Sequence, residues 1–134
     1  MKICVECFDE IHSFDSYIGK IEADRHDTYV YFFNIGVSKH LLNPDDEMKY
    51  VDRAILVFQN VLTIIENYET EVVKEGFKVY YFGGLDLKFK VHKEFQVVCE
   101  KAYLNIPDDF RISKNMWDPY IMNNDVVNSF LEGK

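Results

Sequence analysis

The stretch Asn43-Pro-Asp-Asp-Glu-Met-Lys-Tyr-Val-Asp-Arg-Ala-Ile-Leu-Val-Phe-Gln-Asn-Val-Leu-Thr-Ile-Ile-Glu-Asn-Tyr68 decides how this chain is read. Asn43 can cap a helix, Pro44 suits the first helical position, and Asp45, Asp46 and Glu47 complement the N-terminal dipole. Met48, Val51, Ile55, Phe58, Leu62 and Ile65 then recur at spacings of three and four, with Ala54, Val57, Val61, Ile64 and Tyr68 as a second stripe beside them. The pattern predicts a helix from residue 43 to 68, or as far as Lys74 with Gly76 just past its end. Asp52, Arg53, Gln59, Asn60, Thr63, Glu66 and Asn67 leave only a narrow polar strip, so this helix must be covered on more than one side.

Toward the C-terminus, Phe77-Lys-Val-Tyr-Tyr-Phe82 and Leu85-Asp-Leu-Lys-Phe-Lys-Val91 flank Gly83-Gly84, which reads as a two-residue hairpin. Phe95, Val98, Cys99, Ala102 and Tyr103 have helical spacing and predict a helix over 93–104, ended before Pro107. A short helix is expected over 124–132. Toward the N-terminus, residues 2–8 read as a strand, and 17–23 with 28–37 as a hairpin around Asp24-Arg25-His26-Asp27. In its second arm both Tyr29, Tyr31, Phe33, Ile35, Val37 and the alternate set Val30, Phe32, Asn34, Gly36 are largely apolar, which predicts a strand covered on both faces. The expected fold class is α+β: an antiparallel sheet of about five strands with a long central helix and one or two shorter helices packed on it. A chain of 134 residues fits one domain, 1–134.

Charge and composition narrow the function classes. Lys and Arg total 15 against 23 Asp and Glu, a net charge of −8. Such a chain repels phosphate backbones, so a nucleic-acid partner is not expected. No apolar run approaches the ~20 residues of a membrane span, and Glu6 and Asp9 interrupt what would be the apolar core of a leader peptide. The expectation is a cytoplasmic protein without a membrane partner. The odd count of three cysteines, Cys4, Cys7 and Cys99, points to free thiols in a reducing compartment.

Motifs with chemistry are sparse. Cys4-Val-Glu-Cys7 is a CxxC pair, but on a strand residues three apart face opposite sides, and no tight turn brings the thiols to one metal. His12, His26, His40 and His92 form no metal-binding or catalytic spacing, and Cys99 lies on an apolar stripe. Gly83-Gly84 lacks the following helix and Lys-Ser/Thr of a phosphate loop, and Asp108-Asp109 fits a turn after Pro107. No catalytic residue, metal site or cofactor is therefore expected, and the chain reads as a non-enzyme.

What remains is surface. Residues 1–67 carry 12 acids and 6 bases (net −6), and residues 68–134 carry 11 and 9 (net −2), so the acidity concentrates in the first half. Asp9, Glu10, Asp15, Glu22, Asp24 and Asp27, with Asp45, Asp46 and Glu47 as a second group, are the candidate partner-binding acids, because an acidic face steers a basic partner. Trp117 and Tyr120, in the irregular segment Asn115-Met-Trp-Asp-Pro-Tyr-Ile-Met122, are a second candidate contact of the aromatic kind that dominates interfaces.

In size, acidity and want of a catalytic motif the chain resembles the small acidic immunity proteins that bacteria make against toxins, including those of contact-dependent inhibition systems. That resemblance implies an inhibitor that binds a toxin domain, often a basic nuclease, and blocks its active site. It implies a protein partner and a monomer or homodimer. Two other readings compatible with the sequence are a phage- or plasmid-encoded inhibitor of a host defence protein and a small enzyme or nucleotide-binding domain.

Overall fold

The computed structural model describes residues 2–4, 11–12, 16–37, 49–69, 74–113 and 124–132. The elements are β1 (Lys2–Cys4), β2 (Ile11–His12), β3 (Tyr17–Ala23), β4 (Thr28–Val37), β5 (Lys49–Glu66), β6 (Lys78–Asp86), β7 (His92–Asn105), β8 (Ile112–Ser113) and α1 (Asn124–Leu131). The expected α+β class is overturned. Its long central helix is the 18-residue strand β5, and its 93–104 helix is the 14-residue strand β7. The helical stripe misled because residues 54–58 and 61–65 are nearly all apolar, and a run apolar at every position fits any period. The density of Val, Ile, Tyr and Phe in 50–65 was the competing signal, since branched and aromatic side chains suit a pleated sheet.

The Gly83-Gly84 hairpin is also corrected. Both glycines lie inside β6, which pairs antiparallel with β7 in the register Tyr80↔Val97, Phe82↔Phe95 and Leu85↔His92. The chain turns later, at residues 87–90. The hairpin of β3 and β4 around 24–27 is present, with Ala23 opposite Thr28.

The strand pairings close on themselves. β3 pairs with β4, β4 with β5, β5 with β7 and β7 with β6, all antiparallel, and β6 returns to β3 through a short parallel seam. The result is a five-stranded barrel, to which β1, β2 and β8 add short flanking pairs. The closing seam is short, two residue pairs between β3 and β6. Ile18, Val30, Phe32, Leu56, Phe58, Phe82, Val97, Cys99 and Leu104 fill the interior. Phe82 stacks on Phe95 at 4.8 Å and on Phe58 at 5.5 Å, and meets Phe32 edge-on at 6.0 Å. The barrel centre is thus an aromatic column.

Two asparagines bend the long strands around this column. Asn34 (φ 59°) and Asn60 (φ 53°) adopt the left-handed conformation that Asn tolerates better than other side chains. Around them core-facing residues fall three apart instead of two: Phe32 and Ile35, Val51 and Ala54, Phe58 and Val61, Cys99 and Ala102.

Helix α1 packs on the outside of β3 and β4. Phe130 meets Tyr31 at 5.4 Å and Phe33 at 5.3 Å, both edge-on. The helix comes this close because β3 carries a glycine there: a Cβ on Gly19 would lie 2.7 Å from both Leu131 and Phe33. Lys20 Nζ donates to the Leu131 carbonyl, placing a cation at the helix C-terminus. β4 is therefore covered on both faces, by the core inside and by α1 outside.

Candidate functional site: an acidic turn at one end of the barrel

The β3–β4 turn is built by its own acids. Asp24 Oδ1 accepts the amides of His26 (2.9 Å) and Asp27 (2.8 Å), and Oδ2 accepts the Tyr29 hydroxyl (3.1 Å). The Asp24 amide donates back to the Asp27 carbonyl at 3.0 Å. The Asp27 and His26 amides hold the Asp24 carboxyl below the ordinary aspartate range, so it stays ionised. The hydrogen bond from its hydroxyl to Asp24 raises the Tyr29 phenol.

The turn is docked onto the bend in β5. Asp27 Oδ1 accepts the Asn60 amide at 3.0 Å, and the Val61 amide donates to the His26 carbonyl at 2.8 Å. Asn60 Nδ2 donates to Glu100 Oε2 of β7 at 2.7 Å. Asp24, Asp27 and Glu100 are thereby linked through Asn60, with Arg25 the only Lys or Arg among residues 22–27. Glu22 stands apart, ion-paired with Lys20 at 2.6 Å on β3.

Of the acids singled out in the sequence, then, the structure joins Asp24 and Asp27 and ties Glu22 to a lysine. Asp9, Glu10, Asp15, Asp45, Asp46 and Glu47 lie outside the described residues, as do Trp117 and Tyr120. Sequence reasoning missed Glu100 and Asn60. An asparagine interrupting an apolar strand was the available signal, since it marks a position that needs positive φ or a polar contact.

The other reactive side chains have structural surroundings. Cys99 is buried in the barrel, and burial pushes its thiol up to about 11, which suppresses the thiolate a nucleophile needs. His26 is exposed in the acidic turn and His92 is exposed where β7 begins. Cys4 belongs to β1, paired opposite Tyr103, while Cys7 and His40 lie outside the described residues. Among the described residues no three His, Cys, Asp or Glu side chains are grouped to hold a metal ion. Likewise no described helix is long and apolar enough to cross a membrane.

A second charged cluster is a latch. Asp52, fully buried in β5, accepts the Arg111 amide at 2.8 Å and Arg53 Nε at 3.0 Å. Arg53 Nη2 reaches the Asp109 carboxylate at 3.1 Å and its carbonyl at 3.0 Å. Burial works against the Arg53 charge, but Asp52 and Asp109 more than restore it. Asp109, placed by sequence in a turn after Pro107, is in that turn, closed by Phe110 N donating to the Pro107 carbonyl at 3.1 Å. The cluster fastens residues 107–113 to the barrel, with the buried Asp52 and Arg53 charges paired to each other.

What the acidic turn can do is recognise positive charge with carboxylates fixed in advance, which limits the entropy lost on binding. Comparison of this chain with protein-family models, with curated proteins and with solved structures gave no match.

Proposed function

We propose that this chain is a non-enzymatic protein-binding inhibitor, of the immunity-protein kind, that neutralises a bacterial toxin domain by stoichiometric binding through its acidic surface. A basic nuclease domain is the foremost partner, because carboxylates can occupy the ground that substrate phosphates would take. The observation that carries this reading is the joined set Asp24, Asp27 and Glu100, each tied to backbone or side-chain amides that fix its position. The net charge of −8 extends the attraction beyond contact range. The barrel interior, filled by its aromatic column, leaves the outside as the working surface.

The test is affinity capture from the source organism, identification of the partner by mass spectrometry, and stopped-flow association at several salt concentrations. Glu100→Lys should slow association with a basic partner at low salt and flatten its salt dependence. A partner without a basic face, or association rates unmoved by charge reversal, would refute the reading.

A further inference from the structure

The far end of β5 is paired on one side alone. β4 ends its pairing with β5 at Thr28 opposite Phe58, and the β3–β4 turn covers the next residues, with Asn60 N donating to Asp27 Oδ1 and Val61 N to the His26 carbonyl. β5 then runs on from Leu62 to Glu66 against β7 only. Asn67 N donates to the Glu94 carbonyl at 3.0 Å, so by strand alternation Thr63 and Ile65 turn their amides and carbonyls to β7, and Ile64 and Glu66 turn theirs away from it. Those outward amides and carbonyls have no partner among the described residues. The apolar side chains beside them are exposed as well, Leu62 to 50% and Ile64 to 38%.

Natural sheets guard open edges with lysine, proline, bulges or cover, because a bare edge is a template for another strand. The edge of β3 beyond Ile18, its last partner in β6, is guarded: it has a register shift between Ile18 and Lys20, the Lys20–Glu22 ion pair, and the C-terminus of α1 bonded to Lys20. The β5 edge has no Lys or Pro from Gln59 to Tyr68, and its one charge is Glu66. It is also a short slot. The β3–β4 turn bounds it at Val61, and Asn67, left-handed at φ 55°, takes the chain out of the strand at the other end. A longer foreign strand would run into the turn. A second copy of the same stretch has the matching length, because its own Asn67 turns it away in time.

We propose that the free edge of β5 is a homodimer interface, in which residues 63–67 of two copies pair antiparallel about a two-fold axis at Ile65. Ile64 then lies opposite Glu66 of the second copy and exchanges both backbone hydrogen bonds with it, and Glu66 does the same with Ile64, so every outward group is satisfied. Ile65 meets its own copy on the axis, an apolar cross-strand pair of the kind that stabilises sheets. No like charges stand directly opposite. Asp24 and Asp27 take no part, so the dimer stands or falls separately from the proposed inhibition.

Sedimentation equilibrium and amide hydrogen exchange of the purified chain test this pairing. The chain should dimerise as its concentration rises, and the Ile64 and Glu66 amides should exchange more slowly as it does. Ile64→Pro removes only an outward-facing N–H, which an edge strand tolerates, so it should leave the monomer folded and abolish the dimer. Ile64→Lys sets an ammonium opposite Glu66 of the second copy, and this variant should still dimerise at low salt but dissociate as salt rises. A chain that stays monomeric at every concentration overturns the proposal, as does a dimer whose Ile64 and Glu66 amides exchange at the monomer's rate. Ile64→Pro protein that folds yet dimerises like the wild type overturns it equally. Should that variant not fold, Ile64→Lys decides: the proposed register keeps its dimer at low salt, and loss of that dimer refutes the register.

Discussion

Gly84→Ala is expected to open the barrel along its shortest seam. β3 and β6 share only two residue pairs, and the seam is held by Leu85 N donating to the Ser16 carbonyl at 2.9 Å and Leu87 N donating to the Ile18 carbonyl at 3.0 Å. A Cβ on Gly84 would sit 2.9 Å from the same Ser16 oxygen and 3.0 Å from Ile18 Cγ1. The oxygen is backbone just before β3 and already accepts the Leu85 amide, so it cannot rotate away as a side chain would and the strands must part. Crowding of this kind costs about 1–3 kcal/mol, and a weakened hydrogen bond adds roughly 1 kcal/mol. The expected loss is therefore about 2–4 kcal/mol in urea unfolding, a large share of the roughly 5–15 kcal/mol that holds a domain together. Native-state hydrogen exchange should locate the damage, with the Leu85 and Leu87 amides exchanging faster while those of the β5–β7 ladder keep their relative protection. Stability within about 0.5 kcal/mol of wild type, or uniform acceleration of all amides, would refute the seam argument. If Gly83-Gly84 were instead a hairpin turn, the effect would be confined to that turn.

Three further outcomes follow from the core and the turns. Phe82→Ala should destabilise by about 3–5 kcal/mol, because it empties the position where Phe32, Phe58 and Phe95 meet; equilibrium unfolding measures this, and a loss below about 1 kcal/mol would contradict the aromatic column. In a Cys4→Ser, Cys7→Ser background, Cys99 should react with Ellman's reagent at pH 8 only as the chain unfolds, since burial shields it and holds its thiol up at about 11; labelling at the rate of free cysteine would place it outside the core. Asp24 and Asp86 both titrate below their unfolded value of 3.8, Asp86 because turn amides and Lys93 outweigh its burial, so their contribution is present above that value and is lost as pH falls through the lower folded values. Stability should thus decline below about pH 4, less steeply in Asp24→Asn, Asp86→Asn protein; an identical acid slope in that variant would remove these carboxylates from the account.

Local sequence determined the parts of this protein that are closed locally. The β3–β4 hairpin could be read because two runs of strand-forming residues flank a polar turn, and Asp24 closes that turn with amides two and three residues away. The short helix over 124–131 could be read because its pattern spans only two turns. The acidity that marks Asp24 and Asp27 as candidates is likewise a property of composition. Tertiary structure decided the rest. Residues 49–66 carry a helix-start signal before them and are apolar throughout 54–58 and at four of five positions in 61–65, so no period is enforced there; they are a strand because β4 and β7 satisfy the backbone hydrogen bonds on either side. Gly83-Gly84 carries a turn signal, yet Gly84 is needed where β6 passes close to Ser16, 68 positions away. Glu100 joins Asp27 only through Asn60, across separations of 40 and 33 residues. Contacts of that range depend on barrel closure, and closure is a property of five strands together.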